Sequence, residues 1–174
     1  MDALFTAFES IGIFLDSGGT VLKVILFVSI VLWCAIAERL YYFKFDYPVL
    51  REQWFQQWQE RTHKHSPHSL AIRNLIISEA KLSMSKRVPL IKMLVGLCPL
   101  LGLLGTVTGM IHVFDIMAVT GTGNARAMAS GISMATMPTM AGMLIAIAGL
   151  YFHKVIEERV SDETHHLADL LNYQ

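Results

Sequence analysis

The long uncharged segments of this chain carry threonines among glycine, alanine and apolar residues. Thr106 lies in GLLGTVTG (102–109) and Thr139 lies in ATMPTMAG (135–142). No Asp, Glu, Lys or Arg occurs within 127–152, and a helix of that length exceeds the hydrocarbon core of a bilayer, which is about 30 Å thick. Because a hydroxyl at that depth needs a polar partner, we interpret Thr106 and Thr139 as an ion pathway for a small cation between helices.

Small residues recur around both threonines at helical spacing, a pattern typical of membrane helices that approach closely. Each hydroxyl could instead be satisfied on a carbonyl of its own helix one turn back, and this alternative stays open. Thr139 lies within a stripe of small residues, which predicts that it faces protein and not lipid. The predicted packing positions are Gly102, Gly105 and Gly109 near Thr106, and Gly131, Ala135, Gly142, Ala146 and Gly149 near Thr139.

Two prolines, Pro99 and Pro138, lie inside the same segments. Each lacks a backbone N–H donor and leaves a carbonyl of the preceding turn without its usual partner. We expect a kink at each proline. The kink is either static or a hinge that offers a carbonyl to an ion.

The centres of these segments contain no carboxylate, although a path for protons normally uses a titratable group. If the chain moves protons, the acid must come from another subunit. His112 and Asp115, one turn apart, are either a mouth for cations or satisfied interfacial residues. The cluster of His63, His65 and His68 is interpreted as exposed loop histidines. We predict no metal, cofactor, nucleic-acid site or enzymatic activity.

The composition indicates an integral membrane protein. Hydrophobic residues make up 53% of the 174 residues and charged residues only 16%, against about 25% in soluble domains. The predicted fold class is an all-α integral membrane protein with three transmembrane helices (TM1 to TM3) and helical extensions. The predicted segments are a periplasmic interfacial segment (1–19), TM1 (20–43), a cytoplasmic helical loop (44–89), TM2 (90–117), a periplasmic turn (118–125), TM3 (126–152) and a cytoplasmic helical tail (153–174).

The distribution of basic residues predicts the orientation. Ten Lys or Arg residues follow Glu38 up to and including Lys92, whereas Arg126, at the start of TM3, is the only one between Lys92 and Lys154. The positive-inside rule therefore places the N-terminus outside and the C-terminus inside. Within the long loop, apolar residues on either side of HKHSPHS (63–69) predict two helices, the second starting near Ser66-Pro67.

The segments GLLGTVTGMIHVF (102–114) and GISMATMPTMAGMLIAI (131–147), with the three-span layout, resemble the MotA/TolQ/ExbB proton-channel family. Within that family the chain is most similar to ExbB subunits of second-type TonB systems, with which VTGTGNARAMASG (119–131) agrees. The resemblance implies that Thr106 and Thr139 are the two pore-facing threonines. It also implies location in a bacterial inner membrane.

The same resemblance implies a set of partners. They are further copies of this chain in a pentamer, an enclosed ExbD-like single-span protein that supplies the pore aspartate, and a TonB-like protein that is energised for import of iron complexes. One departure is Met134, because many ExbB and TolQ proteins carry glutamate at this position. Two alternatives stay open, a TolQ-like subunit for envelope maintenance and a passive membrane scaffold.

Overall fold

Helices account for every element that the computed structural model describes, which covers residue 12 and residues 18–59, 67–120 and 125–171. The predicted interfacial segment (apart from residues 12, 18 and 19), residues 121–124 of the predicted periplasmic turn, His63 and His65 lie outside these described residues. The elements are α1 (Gly19–Tyr41), a π-helical turn (Tyr42–Asp46), α2 (Tyr47–Gln59), α3 (Pro67–Ser85), α4 (Val88–Thr120) and α5 (Ala125–Leu170).

Within the described part of the chain, three helical stretches are long and apolar enough to cross a membrane. They are Gly19–Trp54, Leu70–Val119 and Met128–Leu170. Each exceeds the roughly 20 residues that a span needs. The prediction of an all-α fold with three such helices is confirmed.

The helices continue well past the uncharged segments that predict the spans. The π-helical turn joins α1 to α2 without a break, and α5 has 46 residues, or about 69 Å at about 1.5 Å per residue. The helix α3 begins at Pro67, where proline is favoured because the first-turn N–H has no partner inside the helix. Charged residues therefore mark the ends of the apolar segments but not the ends of these helices.

Two compact units make up the chain. The first combines Met1–Trp33 with Met93–Leu150, and the second combines Cys34–Lys92 with Tyr151–Gln174.

In the first unit, α4 and α5 pack as antiparallel neighbours. Val95 lies near Gly149 and Cys98 near Gly142, while further along α4 Gly109 lies near Ala135 and Val113 near Gly131. Partner numbers fall along α5 as they rise along α4, which defines the antiparallel direction. The helix α1 adds Leu22, Ile25 and Leu32 to this core, all at most 2% exposed.

In the second unit, buried apolar side chains come from all parts of the chain that build it. They include Ile36, Tyr47, Ile76, Met84, Ile91, Ile156 and Leu167. Polar contacts tie these helices together as well. The Tyr47 hydroxyl donates to the backbone oxygen of Glu163 at 3.5 Å, and Arg87 forms an ion pair with Glu38.

Candidate functional site

Thr139 joins the two apolar helices through its side chain. Its hydroxyl donates to the backbone oxygen of Gly102 on α4, 3.0 Å away. This contact depends on the glycine, because a Cβ at position 102 would lie 2.9 Å from the Thr139 Cα and 3.1 Å from the Pro138 oxygen. The hydroxyl therefore bonds across the helix interface and not to its own helix.

Thr106 lies one turn after Gly102 on α4, and its hydroxyl bonds within the helix. It donates to the backbone oxygen of Leu103 at 2.7 Å. In the single chain, the own-helix alternative therefore describes Thr106 but not Thr139. The structure brings both candidate hydroxyls close to the same turn of α4, since Gly102 and Thr106 are four residues apart.

The predicted packing glycines lie where backbones approach each other. A Cβ at Gly109 would be 2.5 Å from the Ala135 Cα, and one at Gly142 would be 2.5 Å from the Cys98 backbone oxygen. Such separations are too short for a real side chain, so glycine is what permits this spacing.

At the remaining packing positions the neighbouring atoms belong to side chains and not to the backbone. A Cβ at Gly105 would collide with the Pro138 ring, and one at Gly131 would collide with the Val113 side chain. Gly149 lies against Val95 and Leu32, whereas Ala146 is half-buried.

The two prolines differ in their environments. Pro138 is fully buried in α5 and lies against α4, with its ring at Gly105 and its carbonyl beside Gly102. Pro99 is half-buried inside α4. Pro138 is thus part of the helix contact that also holds Thr139, and the kinks stay predictions.

A further threonine, Thr108, is not among the candidate residues that the sequence pattern indicates. Its hydroxyl lies 3.0 Å and 3.1 Å from the backbone oxygens of Leu104 and Gly105. It lines a cavity of about 290 Å³ between α1, α4 and α5, together with Met134 and several glycines. Gly105 and Thr108 are three residues apart and so share a face of α4. This spacing is the feature of the sequence that could have placed Thr108 beside a packing glycine.

No cluster of three or more His, Cys, Asp or Glu side chains that could hold a metal occurs in residues 18–59, 67–120 and 125–171. His112 and Asp115 are both exposed near the end of α4. Cys34 is exposed and Cys98 is buried, and both are free thiols.

Large apolar side chains cover the outer faces of the first unit. Leu100 and Leu103 on α4 are 63% and 58% exposed, and Leu144 and Ile147 on α5 are 69% and 68% exposed. Only 22% to 33% of the most apolar stretch of each spanning candidate is buried within the chain. Such faces need lipid or other chains against them.

These features define a multi-pass α-helical membrane protein whose apolar helices pack through glycine and threonine. A family model described as the MotA/TolQ/ExbB proton channel family matches residues 50–169. The chain belongs to this family, which is a transport family and not a family of enzymes.

Relatives with similar sequences carry ExbB names. An ExbB-like biopolymer transport protein of Synechocystis (ExbB-like 1) is 40% identical over 82 residues, covering 45% of this chain and 32% of its own. The biopolymer transport protein exbB1 of Vibrio cholerae is 37% identical over 78 residues, covering 42% of this chain and 34% of its own. The matched region thus spans about a third of the length of these relatives. No solved structure matches the chain.

Proposed function

We propose that this chain is the proton-channel subunit of an ExbB–ExbD-type motor in a bacterial inner membrane. The motor energises a TonB-like protein for import through the outer membrane. The observation that carries the proposal is the Thr139 hydroxyl on the Gly102 carbonyl, one turn from Thr106, inside the region that the family model matches.

The chemistry of the spanning segments supports a partner-dependent channel. Segment 93–111 contains no Asp, Glu, Lys, Arg or His, and none occurs in 127–152. A threonine hydroxyl can donate a hydrogen bond to water or a carboxylate and accept one from water or a hydronium ion. It does not itself lose its proton at physiological pH. The titratable group therefore comes from another chain, and the aspartate of an ExbD-like single-span helix fits this need.

The driving energy comes from the membrane potential, which supplies about 2.3 kcal/mol per charge for each 100 mV. Further copies of this chain surround the partner helix in a ring, in our proposal a pentamer. The exposed apolar faces of α4 and α5 supply surface for both the ring contacts and the lipid. The N-terminus lies in the periplasm and the loop and tail in the cytoplasm, as the basic residues predict.

The test removes each hydroxyl while keeping the shape of the side chain. We expect Thr106→Val and Thr139→Val each to abolish TonB-dependent uptake while the folded oligomer persists. The matched control is Thr164→Val in the tail, whose hydroxyl also bonds its own helix, at 2.6 Å from the Val160 oxygen. Uptake is measured in a strain that lacks the native copy, with the amount of oligomer measured in parallel.

Full uptake in both variants would contradict the assignment and favour the passive scaffold, which tolerates valine at both positions. A TolQ-like role is the alternative within the family. It predicts sensitivity to detergent on deletion, with import through TonB-dependent receptors intact.

A further inference from the structure

A recess lies in the second unit between the end of α1, the π-helical turn and α5. Its volume is about 330 Å³, within the range of about 300–1,000 Å³ that is typical of small-ligand sites. We name it the basic recess, because two of the described residues that line it are basic and none of them is acidic. The lining residues are Leu40, Phe43, Lys44, Val155, Ile156 and Arg159.

The lining of the basic recess changes from apolar to basic in the same direction on both sides. Just past the recess, Tyr47 bonds to Glu163, so residue numbers rise together and the two lining segments run parallel. In each segment the apolar residues come first and the base comes last, as Lys44 and Arg159. The recess therefore has an apolar end and a basic end, and the apolar end lies nearer the uncharged segments.

The level of the bases agrees with the surface of a bilayer. The uncharged segments 24–37 and 127–152 end at Ala37 and Phe152, and Lys44 and Arg159 each follow seven residues later, about 10 Å at about 1.5 Å per residue. The polar layer of each leaflet is about 5–8 Å thick, and the long side chains of Lys and Arg reach back toward it. Both charges can therefore lie at the depth of the lipid phosphates.

Exposed tyrosines mark the same level. Tyr41 is 60% exposed and its ring centroid lies 4.5 Å from that of Phe45, while Tyr151 on α5 is 67% exposed. Tyrosine is enriched where the hydrocarbon core meets the headgroups. These side chains support a bilayer surface beside the basic recess, by an argument that does not use its charges.

Both bases have hydrogen-bond donors left for an anion. Lys44 forms no ion pair with the described residues, and its ammonium lies 5.6 Å from the Phe45 ring centroid. Arg159 is paired through one Nη with Glu163 at 3.4 Å, but a guanidinium carries five N–H donors. An Arg fork and a Lys point charge are the usual ligands of a phosphate group.

We propose that the basic recess binds the phosphate of an anionic phospholipid, with an acyl chain along its apolar end. The order of the lining is that of the lipid itself, hydrocarbon toward the middle of the membrane and phosphate at the surface. The recess offers no carboxylate for the ammonium of a zwitterionic headgroup. Basic pockets between membrane helices on the cytoplasmic side, where the basic residues predict this end to lie, bind such lipids. The proposal depends on insertion in a membrane and not on proton conduction.

The test compares phosphatidylglycerol with phosphatidylethanolamine of the same acyl chains, by native mass spectrometry of the full chain in detergent. We expect phosphatidylglycerol to bind more tightly. Lys44→Gln combined with Arg159→Gln should weaken its binding about 30-fold, from the usual strength of two bases at an anionic surface. The matched control combines Lys92→Gln with Lys154→Gln, at two exposed bases that do not line the recess, and should retain the preference.

A second variant fills the basic recess and keeps both bases. Val155 lines it and is 39% exposed, so Val155→Trp adds a ring there without overpacking the core. Binding of phosphatidylglycerol should fall in this variant. It should persist in Leu150→Trp, at a side chain on the same helix that is 60% exposed and lies outside the lining.

Several results would overturn the lipid site. Equal binding of the two lipids would remove the role of the bases, and equal losses in the two double variants would show diffuse charge attraction. Unchanged binding in Val155→Trp would place the lipid elsewhere. Inorganic phosphate that binds as tightly as the lipid would make this a site for free phosphate. Phosphatidylglycerol bound by monomers but not by oligomers would mean that a second copy covers the recess.

Discussion

At the scale of single residues, glycines set the spacing between α4 and α5. At Gly142 an added Cβ would lie 2.5 Å from the Cys98 oxygen and 3.3 Å from its carbonyl carbon. Both are backbone atoms, which cannot rotate away as the end of a side chain can. The two helices would have to separate to admit a methyl group.

We therefore expect Gly142→Ala to destabilise the protein by about 1–3 kcal/mol, the usual cost of overpacking. The matched control is Gly96→Ala on α4, where a Cβ would meet no atom within 4 Å. Unfolding of the purified protein in detergent, followed by circular dichroism against denaturant, measures both. Equal stability of the two variants would show that the backbones are not in contact at Gly142.

The hydroxyl geometry shows what residue types alone can predict. Thr139 in a stripe of small residues predicts a side chain that faces protein, and its hydroxyl does bond to α4. That Gly102 is the acceptor could not be predicted, because a stripe of small residues gives the face that packs but not the register of the partner. The position of Thr108 beside a cavity could not be predicted either, because that cavity is formed by three helices together.

At the scale of helices, Arg73 links two elements of the second unit. Its Nη2 donates to the backbone oxygen of Ala168 at 2.7 Å, in the last turn of α5. The carbonyls of a last turn lack partners within the helix, and a guanidinium also interacts favourably with the helix dipole there.

Arg73→Ala should therefore loosen the end of α5, with a loss of about 1.5–3 kcal/mol for a hydrogen bond to a charged group. Hydrogen exchange of the backbone amides in 160–170 measures this loss directly. The control is Lys154→Ala, which removes an exposed i,i+4 pair with Glu158 at 3.5 Å on the same helix and should cost about 0.3–0.5 kcal/mol. Equal exchange in both variants would contradict a capping role for Arg73.

The spans were predictable as helices because long uncharged stretches have few alternatives in lipid. Pro67 also gave the start of α3 correctly. The continuity of α1 with α2 could not be seen from the sequence in the same way. Glu38 and Arg39 end the most apolar stretch, and Lys44 and Asp46 follow, but the π-helical turn keeps the backbone helical into α2. Charge thus limits the depth of a segment in the membrane and not the length of its helix.

At the scale of the whole molecule, the apolar outer surface needs lipid or other chains against it. The apolar faces of α4 and α5 carry side chains such as Leu103 and Leu144 at 58% and 69% exposure. Lipid alone would cover them in a monomer, whereas a ring buries part of them between copies.

Native mass spectrometry of the detergent-purified protein should show five copies, and co-expression with an ExbD-like protein should add single-span chains. A monomer or dimer that binds no such partner would contradict the proposed ExbB-type assembly.

Under the proposed function, proton conduction belongs to the assembly with the ExbD-like partner and not to this chain alone. The segments 93–111 and 127–152 contain no carboxylate, lysine or histidine, and moving a bare charge through hydrocarbon is costly without such a group. We therefore expect the purified chain alone in liposomes to show no proton leak above that of empty liposomes. Co-reconstitution with the ExbD-like partner should give a flux that Thr139→Val removes and Thr164→Val retains. A leak from the chain alone would mean that water and threonine hydroxyls suffice, and the partner's acid would then set coupling rather than conduction.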